Sequence, residues 1–244
     1  MSRGAESFGA PTSRLGRSAQ LSFADRRNKD GSRRKTPGRK ASPGANVRHR
    51  VRPKHARSHP IHVTLRAVGG LPTFRSQVLY LAFDEAMRKT QRDDFRICEF
   101  SVQSNHVHLI VEAENSRALA NGMKSFSVRA NRLVNAKLKK LGLRETNRGR
   151  VWGDRYHRRD LTSPRQVRNA LVYCINNYRK HERKTDGSMR IDPCSSARWF
   201  VGWIAVREAD DGPPPTADPK TALLRNLWKR HGLIHPGEAP RQPN

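Results

Sequence analysis

Two histidines one residue apart stand at the start of an apolar segment, in the sequence Asn-His-Val-His-Leu-Ile-Val. Successive side chains of a β-strand point to opposite faces, so His106 and His108 lie on one face while Val107, Leu109 and Val111 lie on the other. Two neighbouring imidazoles can bind one divalent metal ion through neutral ring nitrogens. The spacing therefore predicts a pair of metal ligands, although two such histidines can also be ordinary polar residues of a half-exposed strand.

A tyrosine and an asparagine four residues apart form the second candidate group. On a helix, Tyr173 and Asn177 are neighbours one turn apart, and Tyr173 lies on the side opposite the apolar residues. The same side carries further polar residues, namely Asn169, Asn176 and Lys180. A tyrosine at this position is not needed for the core of its own helix, so it is either a simple surface residue or a reactive one.

These two groups together can carry out one reaction. A phenol is a weak nucleophile at neutral pH, because its unperturbed pKa is about 10. A divalent ion held by His106 and His108 can polarise a phosphodiester and offset charge in the transition state. The amide oxygen of Asn177 can complete the ligand set, which suits Mg²⁺ or Mn²⁺. The residue types therefore predict metal-assisted attack of Tyr173 on a phosphodiester.

The helix that carries Tyr173 has clear signals at its start. Ser163 and Gln166 match a capping box, and Pro164 suits the first helical turn. We expect this helix to run to about His181. The stripe that should face the core consists of Val167, Leu171, Cys174, Ile175 and Tyr178.

The pattern of apolar residues before this helix predicts an α+β fold. The expected strands cover residues 61–68, 95–102, 106–112 and 156–161, and the expected helices cover residues 78–91 and 119–142. The order β-α-β-β-α-β, followed by the tyrosine-bearing helix, describes a ferredoxin-like sandwich with an antiparallel sheet.

Charge and composition divide the chain into three parts. Residues 1–58 are rich in Arg, Lys, Ser, Gly and Pro and are expected to form a disordered basic N-terminal arm. Residues 59–183 should form the folded domain, and residues 184–244 a C-terminal extension with a short helix at 221–231. The chain has 49 Lys and Arg against 21 Asp and Glu, a formal net charge of +28, which favours a nucleic-acid partner.

Other features of the composition indicate where in the cell the protein is expected. No apolar stretch approaches the roughly 18 residues needed to cross a bilayer. The three cysteines are widely separated and form neither a metal knuckle nor a disulfide framework. We therefore expect a bacterial cytoplasmic protein that associates with the nucleoid and has no membrane partner.

The motifs resemble those of a known family. The sequence Asn-His-Val-His-Leu at 105–109 resembles the histidine motif of the HUH endonuclease superfamily. The sequence Tyr-Cys-Ile-Asn-Asn at 173–177 resembles the Tyr-x-x-x-Asn element of its REP-associated tyrosine transposases and related insertion-sequence transposases. The segment Val-Trp-Gly-Asp-Arg-Tyr at 151–156 looks like the segment that precedes the last strand in that group. This chain has Tyr178 after the asparagine, where many relatives have proline.

The resemblance implies a role for each matching residue. His106, His108 and Asn177 would be metal ligands, and Tyr173 would attack DNA. The reaction would be nicking of single-stranded DNA beside a hairpin or palindrome through a 5′-phosphotyrosine intermediate, followed by rejoining, as in DNA transposition and recombination. The motifs assign no DNA-binding residues.

Two alternatives and the oligomeric state stay open at this point. The chain could be a catalytically inactive or domesticated nucleic-acid-binding protein on the same fold, but its strands offer few aromatic residues on which bases could stack. An HUH replication or mobilisation initiator is less similar, because such proteins have a permuted motif order or a helicase domain. Relatives include monomers and dimers that exchange the tyrosine helix, so a homodimer is possible.

Overall fold

The computed structural model describes residues 52–177, 191–204 and 212–240. All of them belong to one compact unit, residues 45–244. Its main elements in chain order are β1 (Ile61–Arg66), α1 (Gln77–Arg88), β2 (Phe95–Val102), β3 (His106–Ala113), α2 (Ser116–Lys140), β4 (His157–Asp160) and α3 (Pro164–Ile175). The predicted β-α-β-β-α-β order with an added helix is confirmed. The predicted disordered arm covers residues 1–58, of which residues 1–51 lie outside the described part of the chain.

The four strands form one antiparallel sheet in the order β2-β3-β1-β4. The two central strands, β1 and β3, pair so that Thr64 lies opposite His108 and Arg66 lies opposite His106. The edge strand β4 pairs with β1, placing His157 opposite Thr64. Directly opposed residues of an antiparallel pair share a face, so this register sets which side chains meet at the candidate site.

One face of the sheet packs against α1 and α2. Val107, Leu109 and Val111 are buried on this face, as the alternation of β3 predicts. Helix α2 approaches the sheet closely at Gly122, where a Cβ would overlap the ring of Phe95. Burial of these apolar side chains supplies the main driving force for folding. It also leaves both histidines of β3 on the opposite face.

The opposite face packs against α3 and forms a second core. Ile110 and Cys98 of the sheet contact the apolar stripe of α3, which includes Leu171 and Cys174. Residues 191–204 and 212–240, here called the C-terminal segment, cover the other side of the helix. The apolar residues that do so are Phe200, Trp203, Leu224, Trp228 and Ile234. Helix α3 is therefore enclosed between the sheet and the C-terminal segment, and its position relative to β3 is set from both sides.

Helix α3 starts where predicted, but one capping contact and its C-terminal end differ from the prediction. The Ser163 hydroxyl caps the helix by accepting a hydrogen bond from the Gln166 amide, at 3.3 Å. The Gln166 side chain, however, caps the amide of Thr162, at 2.8 Å, and not that of Ser163. The helix ends at Ile175, before the predicted end near His181. The predicted core position of Tyr178 lies outside the described residues.

The C-terminal segment docks on a buried charge. The Glu112 carboxylate pairs with Arg96, at 2.9 Å, and accepts hydrogen bonds from the backbone amide and hydroxyl of Thr221, at 3.0 and 2.7 Å. The predicted helix at 221–231 is two short turns: α4 (Ala222–Arg225) and a 3₁₀ turn (Leu227–His231). No helix in the described ranges is long and apolar enough to cross a membrane.

Candidate active site

The two histidines of β3 share one face of the sheet, as predicted. His106 is half-buried near the start of the strand, whereas His108 is only 3% exposed. Their ring centroids are 4.7 Å apart with the planes almost perpendicular. The Nδ1 of His106 lies 2.8 Å from the Oδ1 of Asn105. Because that oxygen is an acceptor, this contact favours the tautomer of a neutral His106 that carries its proton on Nδ1 and keeps a lone pair on Nε2.

Helix α3 places Tyr173 against His108 of this pair. The Tyr173 ring meets the His108 ring edge-on, with centroids 5.0 Å apart. The tyrosine is half-buried because it faces the sheet, so it is not the simple surface residue that the helix pattern also allowed. The side of α3 that the sequence indicates as solvent-facing thus lies partly over the histidine face.

A third histidine, His62 of β1, completes the cluster and was not identified from the sequence. Its Nε2 lies 3.2 Å from the Nδ1 of His108, and its ring centroid lies 5.6 Å from that of Tyr173. The Thr64 hydroxyl also lies 3.1 Å from the same Nδ1 of His108. The alternation Ile-His-Val-Thr-Leu in β1 is a signal for the polar face, but it does not reveal the pairing with β3.

The surroundings of His62 keep its ring neutral at neutral pH. Burial, together with the nearby charges of His157 and Arg159, lowers the pKa of His62 to about 4. A neutral imidazole can accept a hydrogen bond through one nitrogen. His62 can therefore serve as an acceptor for a proton on the Nδ1 of His108.

Asn177 lies outside this ring cluster, two residues beyond the end of α3. Its side chain is buried, and its Oδ1 has no hydrogen-bond partner among the described residues. A buried amide oxygen without a donor costs free energy unless another group satisfies it. Asn177 is therefore suited to offer this oxygen to a cation.

Asn176 differs from the prediction that placed it on the polar side near Tyr173. It is buried, and its Nδ2 donates to the carbonyls of His235 and Glu238, at 3.3 and 3.0 Å. Two turns earlier, Arg168 pairs with Glu238, at 2.6 Å. Residues 232–238 thus run along the far edge of α3, which sequence pattern alone could not show because these contacts span some sixty residues.

The side chains near the histidines offer few kinds of metal ligand. In residues 52–177, 191–204 and 212–240, no group of three or more His, Cys, Asp or Glu side chains could hold a metal ion. A third protein ligand beside His106 and His108 would have to be of another type. The unpartnered amide oxygen of Asn177 is of such a type, so these residues fit, in their donor chemistry, a site with two nitrogen donors and one oxygen donor.

Comparison with known proteins finds a family model that matches part of the chain. Residues 59–175 match the family model described as "Transposase IS200 like". The chain is similar to a solved structure described as "Structure of the REP associates tyrosine transposase bound to a REP hairpin", with 17% identity and a TM-score of 0.46. That similarity covers 70% of this chain and 92% of the other. No curated protein matches the chain.

Proposed function

We propose, from the match of residues 59–175 to the IS200-like transposase family model, that the protein belongs to this family and nicks and rejoins single-stranded DNA with Tyr173 as the nucleophile. The proposed target lies beside a hairpin or palindrome. The observation that carries the proposal is the edge-on contact between the Tyr173 and His108 rings within one chain. A single chain supplies all the named groups, so the proposal does not require a partner copy.

His106, His108 and Asn177 would hold the divalent cation, Mg²⁺ or Mn²⁺. When bound, such a cation polarises the phosphodiester and offsets the charge of the transition state. To bind through Nε2, His108 must carry its proton on Nδ1. Both His62 and Thr64 lie where they can accept a hydrogen bond from this nitrogen, at 3.2 and 3.1 Å. They support the tautomer that makes His108 a ligand.

The reaction conserves the energy of the phosphodiester bond. The Tyr173 phenolic oxygen loses its proton and forms a bond to phosphorus, while the bond from phosphorus to the 3′ oxygen breaks. The 3′ oxygen takes up a proton and leaves as a hydroxyl, and the 5′ phosphate stays on the tyrosine. Attack by a 3′-hydroxyl on this link reverses the exchange and joins strands. No nucleotide cofactor is required.

The test is the mass of the protein after incubation with a labelled strand and Mg²⁺ or Mn²⁺. We expect a DNA adduct that maps to Tyr173 in the natural protein and disappears in Tyr173→Phe. Tyr80→Phe and Tyr178→Phe are matched controls that keep the same change of one hydroxyl, and both should retain the adduct. An adduct that persists in Tyr173→Phe refutes this nucleophile. A natural protein that binds DNA but never forms an adduct supports the non-catalytic alternative.

A further inference from the structure

A basic cavity of about 300 Å³ opens beside β4, the edge strand of the described sheet. It is not part of the candidate active site. Its lining includes Arg52, Arg155, Tyr156, His157, Arg158 and Asp160. Among the described residues of this lining, there are thus three guanidinium groups and one carboxylate.

The one carboxylate is already engaged. Arg158 binds Asp160 through two hydrogen bonds of 2.6 Å each, from its Nε and Nη2. This bidentate pair is the strong form of an arginine–carboxylate contact and neutralises both charges. Among the described residues that line the cavity, no second carboxylate compensates the positive charge of Arg52.

Arg52 is held in place in a way that leaves one donor unused. Its guanidinium lies 3.7 Å above the centre of the Tyr156 ring, and its Nη2 donates to the Tyr156 carbonyl at 2.6 Å. Its Nη1 is buried and has no hydrogen-bond partner among the described residues. Burial lowers the pKa of Arg52, and the nearby charges of Arg155 and Arg158 act in the same direction. The cavity therefore presents a fixed, partly desolvated cation whose remaining N–H needs an acceptor.

We propose that this cavity binds a backbone phosphate of the DNA strand, a proposal that rests on the DNA-nicking function above. A phosphodiester supplies the two things that Arg52 requires: a negative charge beside its guanidinium, and acceptor oxygens for its Nη1. The planar guanidinium of arginine matches the oxygens of a phosphate, and Arg155 adds a second cation to the same space. The stacked Tyr156 ring fixes the direction of Arg52 before DNA arrives, which lowers the entropy cost of binding.

The register of β4 places the cavity at the edge of the sheet. His157 lies opposite Thr64 and shares its face, which is the face of the candidate active site. Arg158 and Asp160 lie opposite Val63 and Ile61, which belong to the core beneath α1 and α2. The Arg158–Asp160 pair is therefore on the other side of the sheet from the histidines. A DNA strand bound both in the cavity and at Tyr173 would pass around the edge strand β4.

The first experiment measures DNA binding of the full chain by fluorescence anisotropy at several salt concentrations. All proteins carry Tyr173→Phe and no divalent ion is added, so that binding is measured whether or not the nicking proposal holds. The test protein adds Arg52→Gln and Arg155→Gln. The matched control adds Arg129→Gln and Arg132→Gln, two exposed residues of α2 that are not in the lining of the cavity.

We expect the cavity variant to bind about tenfold or more weakly, with the slope of log affinity against log salt reduced by about 0.7 for each phosphate that the protein no longer binds. The control pair makes the same change in net charge and should weaken binding less than about twofold. Equal decreases in the two proteins mean that only total charge matters, and this overturns the proposal. Arg52→Lys, which keeps the charge and removes the planar fork, gives a second, milder variant with intermediate affinity.

A second measurement locates the phosphate. Single methylphosphonates, which remove one backbone charge, are placed in turn at each backbone position of the strand. Against the protein with an intact cavity, one or two adjacent positions should weaken binding. Against the cavity variant the same positions should have no further effect, because the arginines that bind this phosphate are absent. Decreases that are equal at all positions, or that remain in the cavity variant, contradict the assignment.

Discussion

Removal of the two hydrogen-bond acceptors behind His108 should weaken cation binding without touching any cation ligand. The changes are His62→Leu and Thr64→Val, which keep the approximate size of each side chain and remove the polar atom near the Nδ1 of His108. Only one proton is available on this nitrogen, so the two acceptors share one hydrogen bond. Either single variant leaves the other acceptor in place, and only the double variant removes both.

The expected loss of cation affinity follows from the fact that the two acceptors share one hydrogen bond. Loss of one ordinary hydrogen bond costs about 0.5–1.5 kcal/mol, which is about two- to twelvefold in affinity, and each single variant should lie at or below this range. Groups that orient a histidine ligand from behind typically contribute about 10- to 100-fold to metal affinity. The double variant should therefore weaken affinity by more than the product of the two single effects.

The assay is titration of the DNA-free protein with Mn²⁺, followed by electron paramagnetic resonance of the unbound ion. His157→Leu removes another imidazole on the same face and serves as the matched control, with unchanged affinity expected. His108→Ala should abolish binding. If the double variant binds Mn²⁺ as the natural protein does while His108→Ala does not, the supporting role of His62 and Thr64 is refuted. Thermal unfolding of each variant shows that the domain remains folded.

Two further predictions concern the fold. Gly122→Ala forces a Cβ against the Phe95 ring and should cost about 1–3 kcal/mol of unfolding free energy, lowering Tm by several degrees, whereas Gly69→Ala, with open space around it, should leave Tm unchanged. Burial raises the pKa of Glu99 to about 8, although its hydrogen bond from Ser196 opposes this. A raised carboxyl pKa contributes stability that is present below the unfolded value of about 4.5 and is lost as pH rises towards 8. Glu99→Gln should therefore reduce the fall in Tm between about pH 5 and pH 8.5, and an unchanged pH profile would contradict the assignment.

The sequence was informative where the signal is local. The apolar segments 95–102 and 106–112 located β2 and β3, and the alternation of side chains along β3 placed His106 and His108 on one face without any knowledge of the partner strands. The Ser163 cap located the start of α3 to the residue. Such features depend on neighbours within about four residues, and these are the contacts that a sequence displays directly.

Contacts between distant residues could not be predicted in this way. His62 and His108 are 46 residues apart, and they meet only because β1 and β3 pair in one particular register. The same holds for the basic cavity, where Arg52 contacts a residue 104 positions away. The burial of Asn176 was missed because its partners belong to the C-terminal segment. A pattern shows which face of an element is polar, but not what covers that face.

The enclosure of α3 also bears on where the domain should be cut for experiments. The family match stops at residue 175, the last residue of the helix. A fragment ending there would expose to water the apolar side of α3 that Trp203 and Trp228 now cover, and exposed apolar patches of this kind promote aggregation. The smallest soluble unit is therefore longer than the recognisable family segment, and truncation studies should retain the tryptophan-containing segment to residue 240.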